Sequence, residues 1–456
     1  TMLEKQVYPD LRIFPGGPPK RPYDVTGHTL GMLMGVDVAA IEKPFDAPLE
    51  LMREVAATAP PMPARPKYAY LVGPESNAGF KALAELQKAN VPVFRTAKGF
   101  ETGGRQFAPG TWVVSPAPAA TRILEAVAKE TGMHVFGADR APAVDGFRIK
   151  PGTRIGLYRG ANNMPGGWLM WLFEQYGFNH QIVTAHDFEG DLAAKYDAIV
   201  LPSGLTRERI VVGLDPARHD KSWAWAYGVG EAGWQKLADF VRNGGTIVAI
   251  GSATETLREL LDLPIDKALP ESGRRRFGSQ AAAAGGTAAR QAPASEVDRQ
   301  LRDAFTSPAR LMQTLRDRVA DPNSLFYCPG SLLQNEFDTS HPVAFGMPPA
   351  WPVFFESDQA YRLRPGFGVA AQAVSRYPRA NILQSGWLLG EEYLRDQANA
   401  MAFTVGRGYA VALASQIDYR TQPRGTLKLL FNAMFHGPSA PVTAAQMQRI
   451  AAAGTN

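Results

Sequence analysis

Between residues 154 and 251 four short apolar runs alternate with helical stretches, and this alternation constrains the fold more than any other feature of the chain. The runs are Arg154-Ile-Gly-Leu-Tyr158, Gln181 to Thr184, Ala198-Ile-Val-Leu201 and Gly245-Thr-Ile-Val-Ala-Ile-Gly251. They have strand length, and the third ends in Pro202-Ser-Gly204, so they read as strands buried on both faces. Helices are expected at Gly166 to Tyr176 and Gly233 to Arg242. Strands alternating with helices specify an α/β domain with a doubly wound, mostly parallel sheet.

The rest of the chain is organised around this domain. Residues 1–65 read as an extended, irregular connector, with Pro15-Gly-Gly-Pro-Pro19 and Pro60-Pro-Met-Pro63 as breakers and a short helix expected at Leu49 to Ala57. Residues 66–150 read as a small α/β domain. Its strands are expected at Tyr68 to Val72, Val91 to Arg95 and Gly110 to Val114, the last reached by a hairpin through Gly103-Gly104, and its helices at Ala78 to Lys88 and Ala119 to Glu130. The main domain spans 151–436 and carries an insertion near 264–322. There Arg274-Arg-Arg276 and Ala281-Ala-Ala-Ala-Gly-Gly286 offer little apolar surface to offset ordering, so 270–296 is expected to be mobile, with a helix at Ser307 to Val319. Further strands are expected near Val353 to Glu356, Ala400 to Val405 and Tyr409 to Ala414, and a final helix at Thr426 to Phe435. Residues 437–456 are expected as a tail.

Composition excludes some classes of function. The 456 residues suit two or three domains. The net charge is +5 without a dense basic face, which argues against nucleic acid. No apolar run approaches the roughly 18 residues of a membrane span. Cys328 is the single cysteine, so neither an intrachain disulfide nor a cysteine-based zinc cluster can form. An oligomer is compatible with all of this.

Three segments carry a family resemblance: Arg21-Pro-Tyr-Asp-Val-Thr-Gly-His-Thr-Leu30, Gln384-Ser-Gly-Trp-Leu-Leu-Gly-Glu-Glu-Tyr393 and Gly425-Thr-Leu-Lys-Leu-Leu-Phe-Asn-Ala-Met434. Together they resemble the region downstream of the peptidase domain in large bacterial carboxypeptidase A-like zinc metallopeptidases. The resemblance implies a non-catalytic accessory region that positions or restricts a peptidase site outside this chain. Its partners would be the upstream peptidase domain or a peptide substrate, and its location periplasmic or secreted, although no signal peptide follows Thr1. Zinc would belong to the peptidase domain, with no cofactor in this chain.

The order of elements from 154 to 251, closed by Val405-Gly-Arg-Gly-Tyr409 and a last helix, is similar to class I glutamine amidotransferase-like domains. In active members a cysteine follows the strand that corresponds to Thr246 to Ile250. Here the turn reads Gly251-Ser-Ala-Thr254, so the nucleophilic cysteine is missing. Ser252 is a candidate substitute in a free-standing hydrolase, the alternative being a serine that caps the next helix. A third reading is a ligand-binding module. Its candidate groups are Gly160, Asn162 and Asn163 in the loop after the first strand, Ser203 and Gly204 after the third, and Ser252, because open α/β sheets bind ligands at the carboxyl ends of their strands. Cys328 reads as a core residue rather than a nucleophile. His186-Asp-Phe-Glu189 formally matches His-x-x-Glu, but no second histidine motif completes a zinc set; an exposed loop histidine is the expectation. His28 is expected to hydrogen-bond rather than to bind metal. No metal site is expected.

Overall fold

The computed structural model describes residues 2–11, 29–53, 60–270, 307–309, 325–356, 358–366 and 368–453. His28, residues 271–296 of the expected mobile insertion and most of the helix expected at Ser307 to Val319 lie outside them. Residues 49–53, where the sequence predicts the start of a helix, are irregular and exposed, and 54–57 lie outside the described residues.

The small domain is built on β1 (Ala69–Val72), α1 (Ala78–Lys88), β2 (Val93–Thr96), the hairpin β3 (Phe100–Thr102) and β4 (Arg105–Phe107), β5 (Trp112–Val114), α2 (Pro118–Thr131), β6 (Phe136–Ala138) and β7 (Gly146–Arg148). Tyr70 and Val72 face the helices while Ala69 and Leu71 face the other core, the alternation that a strand buried on both faces requires.

The large domain holds β8 (Ile155–Leu157), α3 (Met164–Tyr176), β9 (His180–Ile182), β10 (Ala198–Leu201), α4 (Gly230–Arg242), β11 (Thr246–Ile250), α5 (Ala253–Leu261) and β12 (Ile265–Lys267). Then come β13 (Ser331–Phe337), β14 (Ala350–Phe355), β15 (Tyr361–Leu363), β16 (Val369–Arg376), β17 (Leu383–Ser385), β18 (Ala398–Val405), β19 (Gly408–Leu413) and α6 (Leu427–His436). The sheet order is β9-β8-β10-β11-β19-β18-β16-β13-β14. Its first five strands are all parallel, and the rest form an antiparallel wing. Along β11, Val248 and Ile250 join the core under α3 and α6, while Ile247 and Ala249 join the core under α4 and α5. Both faces are therefore covered, and the domain is doubly wound as expected.

Residues 437–453 differ from the tail expected over 437–456. Ala440–Val442 (β20) pairs with β7 at the edge of the small antiparallel sheet, whose order is β20-β7-β2-β5-β1-β6. Ala444–Ala453 (α7) follows, with Met447 fully buried in the small domain's second core. The free edge of β7 offers unpaired backbone groups, and the returning chain satisfies them.

One apolar core runs through both domains. Phe80 of α1 lies 5.2 Å edge-on to Phe431 and stacks at 6.2 Å on Phe435, both on α6. Each fully buried ring contributes about 1.5–3 kcal/mol, so the interface joins the domains firmly.

Candidate functional site

The carboxyl ends of β8, β10 and β11 lie side by side in the middle of the parallel run. The sequence candidates Gly160, Asn163, Ser203, Gly204 and Ser252 converge there. Asn163 caps α3, its Oδ1 accepting the Gly166 amide at 2.7 Å, and its Nδ2 donates to the Ser203 carbonyl at 2.9 Å. Gly160 has a positive φ of 67° and no room for a Cβ, which would meet Leu205 at 2.8 Å. Asn162 is in the same left-handed region at φ 49° and is exposed.

Ser252 stands at the start of α5 without capping it. Its Oγ instead accepts the Gly204 amide at 2.8 Å and lies 3.3 Å from Ser203 Oγ. Gly251 makes this contact possible. It holds φ 55°, and a Cβ there would meet Ser203 Oγ at 2.6 Å. Among the described residues no histidine bonds the Ser252 hydroxyl, the partner that would take its proton in a nucleophilic role.

The loop after β19 completes the site, and sequence reasoning missed it. Gln416 and Glu356 donate their backbone amides to Asp358 Oδ2 at 3.1 and 3.3 Å, which ties this loop to the end of β14. Tyr419 stacks on Phe354 at 4.3 Å and meets the edge of Trp168 at 5.4 Å. Burial raises the Glu356 carboxyl above the usual carboxylate range, with Arg420 and Tyr419 opposing that rise. Burial likewise pushes the neighbouring Asp418 carboxyl up to about 7, and its Oδ2 has no hydrogen-bond partner among the described residues. Arg420 and Thr421 hold φ values of 50° and 56°. Two adjacent non-glycine residues in that region store strain, and such strain gathers at functional sites. Nothing in the sequence signals it, since Tyr-Arg-Thr carries no turn signature.

The remaining candidates behave differently. Cys328 is buried, its thiol donates weakly to the Phe355 carbonyl, and burial pushes it up to about 12, which makes it an inert core residue. His186 Nδ1 and Glu189 Oε2 pair at 2.9 Å on the surface. The intervening Asp187 is taken by Lys195, Tyr196 and Thr184. Among the described residues no group of three or more histidine, cysteine, aspartate or glutamate side chains could hold a metal, and this pair does not fit zinc. Among the aromatic residues of α3, Trp168, Trp171, Phe173 and Tyr176, only Phe173 is fully buried, and Trp171 is 43% exposed beneath the Arg424 guanidinium. No helix among the described residues is long and apolar enough to cross a membrane.

No protein-family model matches the chain, and no curated protein does. Among solved structures it is similar to a ThuA-like protein from Bacteroides uniformis, at 12% identity and a TM-score of 0.30, covering 62% of this chain and 90% of that one. It is similar to the cytoplasmic protein STM3548 from Salmonella typhimurium, at 12% identity and a TM-score of 0.34, with coverage of 62% and 98%. A glutamine amidotransferase from Thermotoga maritima gives 9% identity, a TM-score of 0.31 and coverage of 63% and 100%. With scores this low none of the three bears on activity, and the doubly wound architecture stands on the strand order itself.

Proposed function

We propose that this chain is a non-catalytic accessory region that uses the carboxyl end of its parallel sheet to bind rather than to cleave. The observation that carries this reading is the Ser252 hydroxyl. It sits where an amidotransferase-like domain would hold its nucleophile, and it is engaged by the Gly204 amide with no imidazole bonded to it among the described residues. The groups left to meet a partner are Glu356 at the end of β14 and Gln416, Tyr419 and Arg420 on the strained loop after β19. The parent activity is proposed to be that of a periplasmic or secreted carboxypeptidase A-like zinc peptidase, whose metal site lies outside this chain. The segments Gln384 to Tyr393 and Gly425 to Met434 support that parentage.

Two measurements test the proposal. The gene's complete reading frame should encode a zinc peptidase domain upstream, and a frame without one sinks the accessory role. In the full-length protein Ser252→Ala and Cys328→Ala should leave kcat/KM on a carboxypeptidase substrate nearly unchanged. A loss of about 10³-fold from Ser252→Ala with folding intact would mark a working nucleophile instead.

A further inference from the structure

The two domains also enclose a cleft of about 470 Å³, within the size range of small-molecule sites. Lys428, in the first turn of α6, lies at its floor and is only 8% exposed. Its ammonium makes no hydrogen bond or ion pair with any described residue. Burial pushes it down to about 8, with Glu75 opposing that shift. Its stem is buried while the ammonium opens to the cleft, so its three donors point to whatever fills that space. A ligand that brings oxygens there gives them acceptors in a site of reduced solvation.

The rest of the cleft narrows the ligand's chemistry. Pro109, Met347 and Trp351 form apolar walls, and the exposed Asp37 and Glu75 stand at the rim. A simple anion would satisfy Lys428 but would pass two like charges. A simple cation would suit the rim and leave Lys428 unpaired. A zwitterion with an apolar body matches all three features, its carboxylate on Lys428, its ammonium toward Glu75 and Asp37, and its side chain on the walls. We propose that this cleft binds a small zwitterion of the amino-acid or short-peptide class, with an apolar side chain. The proposal stands whether or not a peptidase accompanies the chain.

Titration calorimetry of the chain with the dipeptide Ala-Phe and with phenylalanine tests it. At least one should bind, and the tighter of the two tells peptide from amino acid. Capping the preferred probe's amine with acetyl, or its carboxylate as the amide, should weaken binding by about tenfold or more, as expected for a lost charged hydrogen bond. Lys428→Met should impose the same loss on the free probe and no further loss on the amide. No heat from either probe at about 5 mM, the weak end of specific affinity, would overturn the proposal. Binding indifferent to Lys428→Met would do so as well. Should that variant fail to fold, acetic anhydride labelling of the unaltered protein decides: the free probe should protect Lys428 and its amide should not, and equal labelling with both refutes the site.

Discussion

The hydroxyl of Thr29 lies 2.7 Å from that of Ser385, 356 residues away, and both side chains are buried. Thr29 also donates to the Glu4 carbonyl at 2.9 Å, and Ser385 accepts the Gln6 amide at 2.8 Å. Close by, the Gly425 amide donates to the Leu33 carbonyl at 2.9 Å. Thr29, at the described end of the first resembling segment, thus meets the second at Ser385, and Leu33 just beyond it meets the third at Gly425. Residues 29–33 of the connector are docked on the large domain by backbone bonds, by one pair of hydroxyls and by Leu33 packed on Leu332 and Phe354.

Thr29→Val keeps the shape of the side chain and removes its hydroxyl, leaving the Glu4 carbonyl and the Ser385 hydroxyl without their partner. A buried polar group so stranded costs about 1–3 kcal/mol. Urea denaturation should show a loss of that size, and proteolytic cleavage of the first residues should accelerate. An unchanged midpoint would mean that water replaces the hydroxyl and that the docking is loose.

Asp418→Asn should stabilise the protein in a pH-dependent way. The folded state holds the Asp418 proton up to about pH 7, whereas the unfolded chain releases it near its ordinary value of 3.8. Between those values the folded state binds more protons, so stability falls as pH rises. The asparagine stands in for the protonated acid. It should change little near pH 4 and should add stability above pH 7, by roughly 1.4 kcal/mol for each pH unit that separates the folded and unfolded titrations. Equal effects at both pH values would show that the carboxyl titrates normally.

The parallel half of the fold was legible because its strands are apolar throughout. Ala198–Leu201 is recovered to the residue and Thr246–Ile250 to within one. Of the antiparallel wing, β14 and β18 were legible as apolar runs near Val353 to Glu356 and Ala400 to Val405, whereas β13, β15, β16 and β17 were not. Val369–Arg376 alternates half-buried and exposed positions filled by alanines and glutamine, with only Val374 and Ser375 buried, which carries almost no hydrophobic signal. At the site the serine turn could be placed, since glycines mark strand ends and crossovers bring those ends together. Glu356 and Tyr419 could not, because they arrive from the wing and from the β19 loop, and only the pairing of strands far apart in sequence sets them beside the turn. Ser252 shows a further limit: its position at the helix start was legible, whereas its bond to Gly204 depends on a neighbouring crossover.

Asn432→Leu should loosen the interface between the domains. Arg95 of the small domain is buried, stacks over Trp112 at 4.1 Å and donates to Asn432 Oδ1 and to the Gly110 carbonyl. No ion pair to Arg95 is present among the described residues, and burial pushes its guanidinium down to about 9. Asn432 also donates to the carbonyls of Val343 and Phe345 at 3.0 and 2.8 Å. Leucine fills a similar volume and leaves all three partners unmet, so a loss of about 3 kcal/mol or more is expected. Chemical denaturation followed by tryptophan fluorescence checks it, and a loss below about 1 kcal/mol would show that Arg95 finds another acceptor.

Thr421→Gly separates strain from function at the site. A β-branched residue at φ 56° is an outlier, and the left-handed region costs a non-glycine residue roughly 1–2 kcal/mol. Glycine relieves that cost but gains about 0.5–1 kcal/mol of freedom in the unfolded chain, so the variant should be as stable as the parent or slightly more so. If the strain serves to hold Tyr419 and Arg420 toward a partner, relaxing the loop should weaken partner binding even as stability is kept. The two readings are the thermal midpoint and the affinity of the chain for the proposed upstream peptidase domain. A variant that loses stability would show that threonine's own contacts outweigh the strain, and one that keeps both stability and affinity would remove the strained loop from the binding surface.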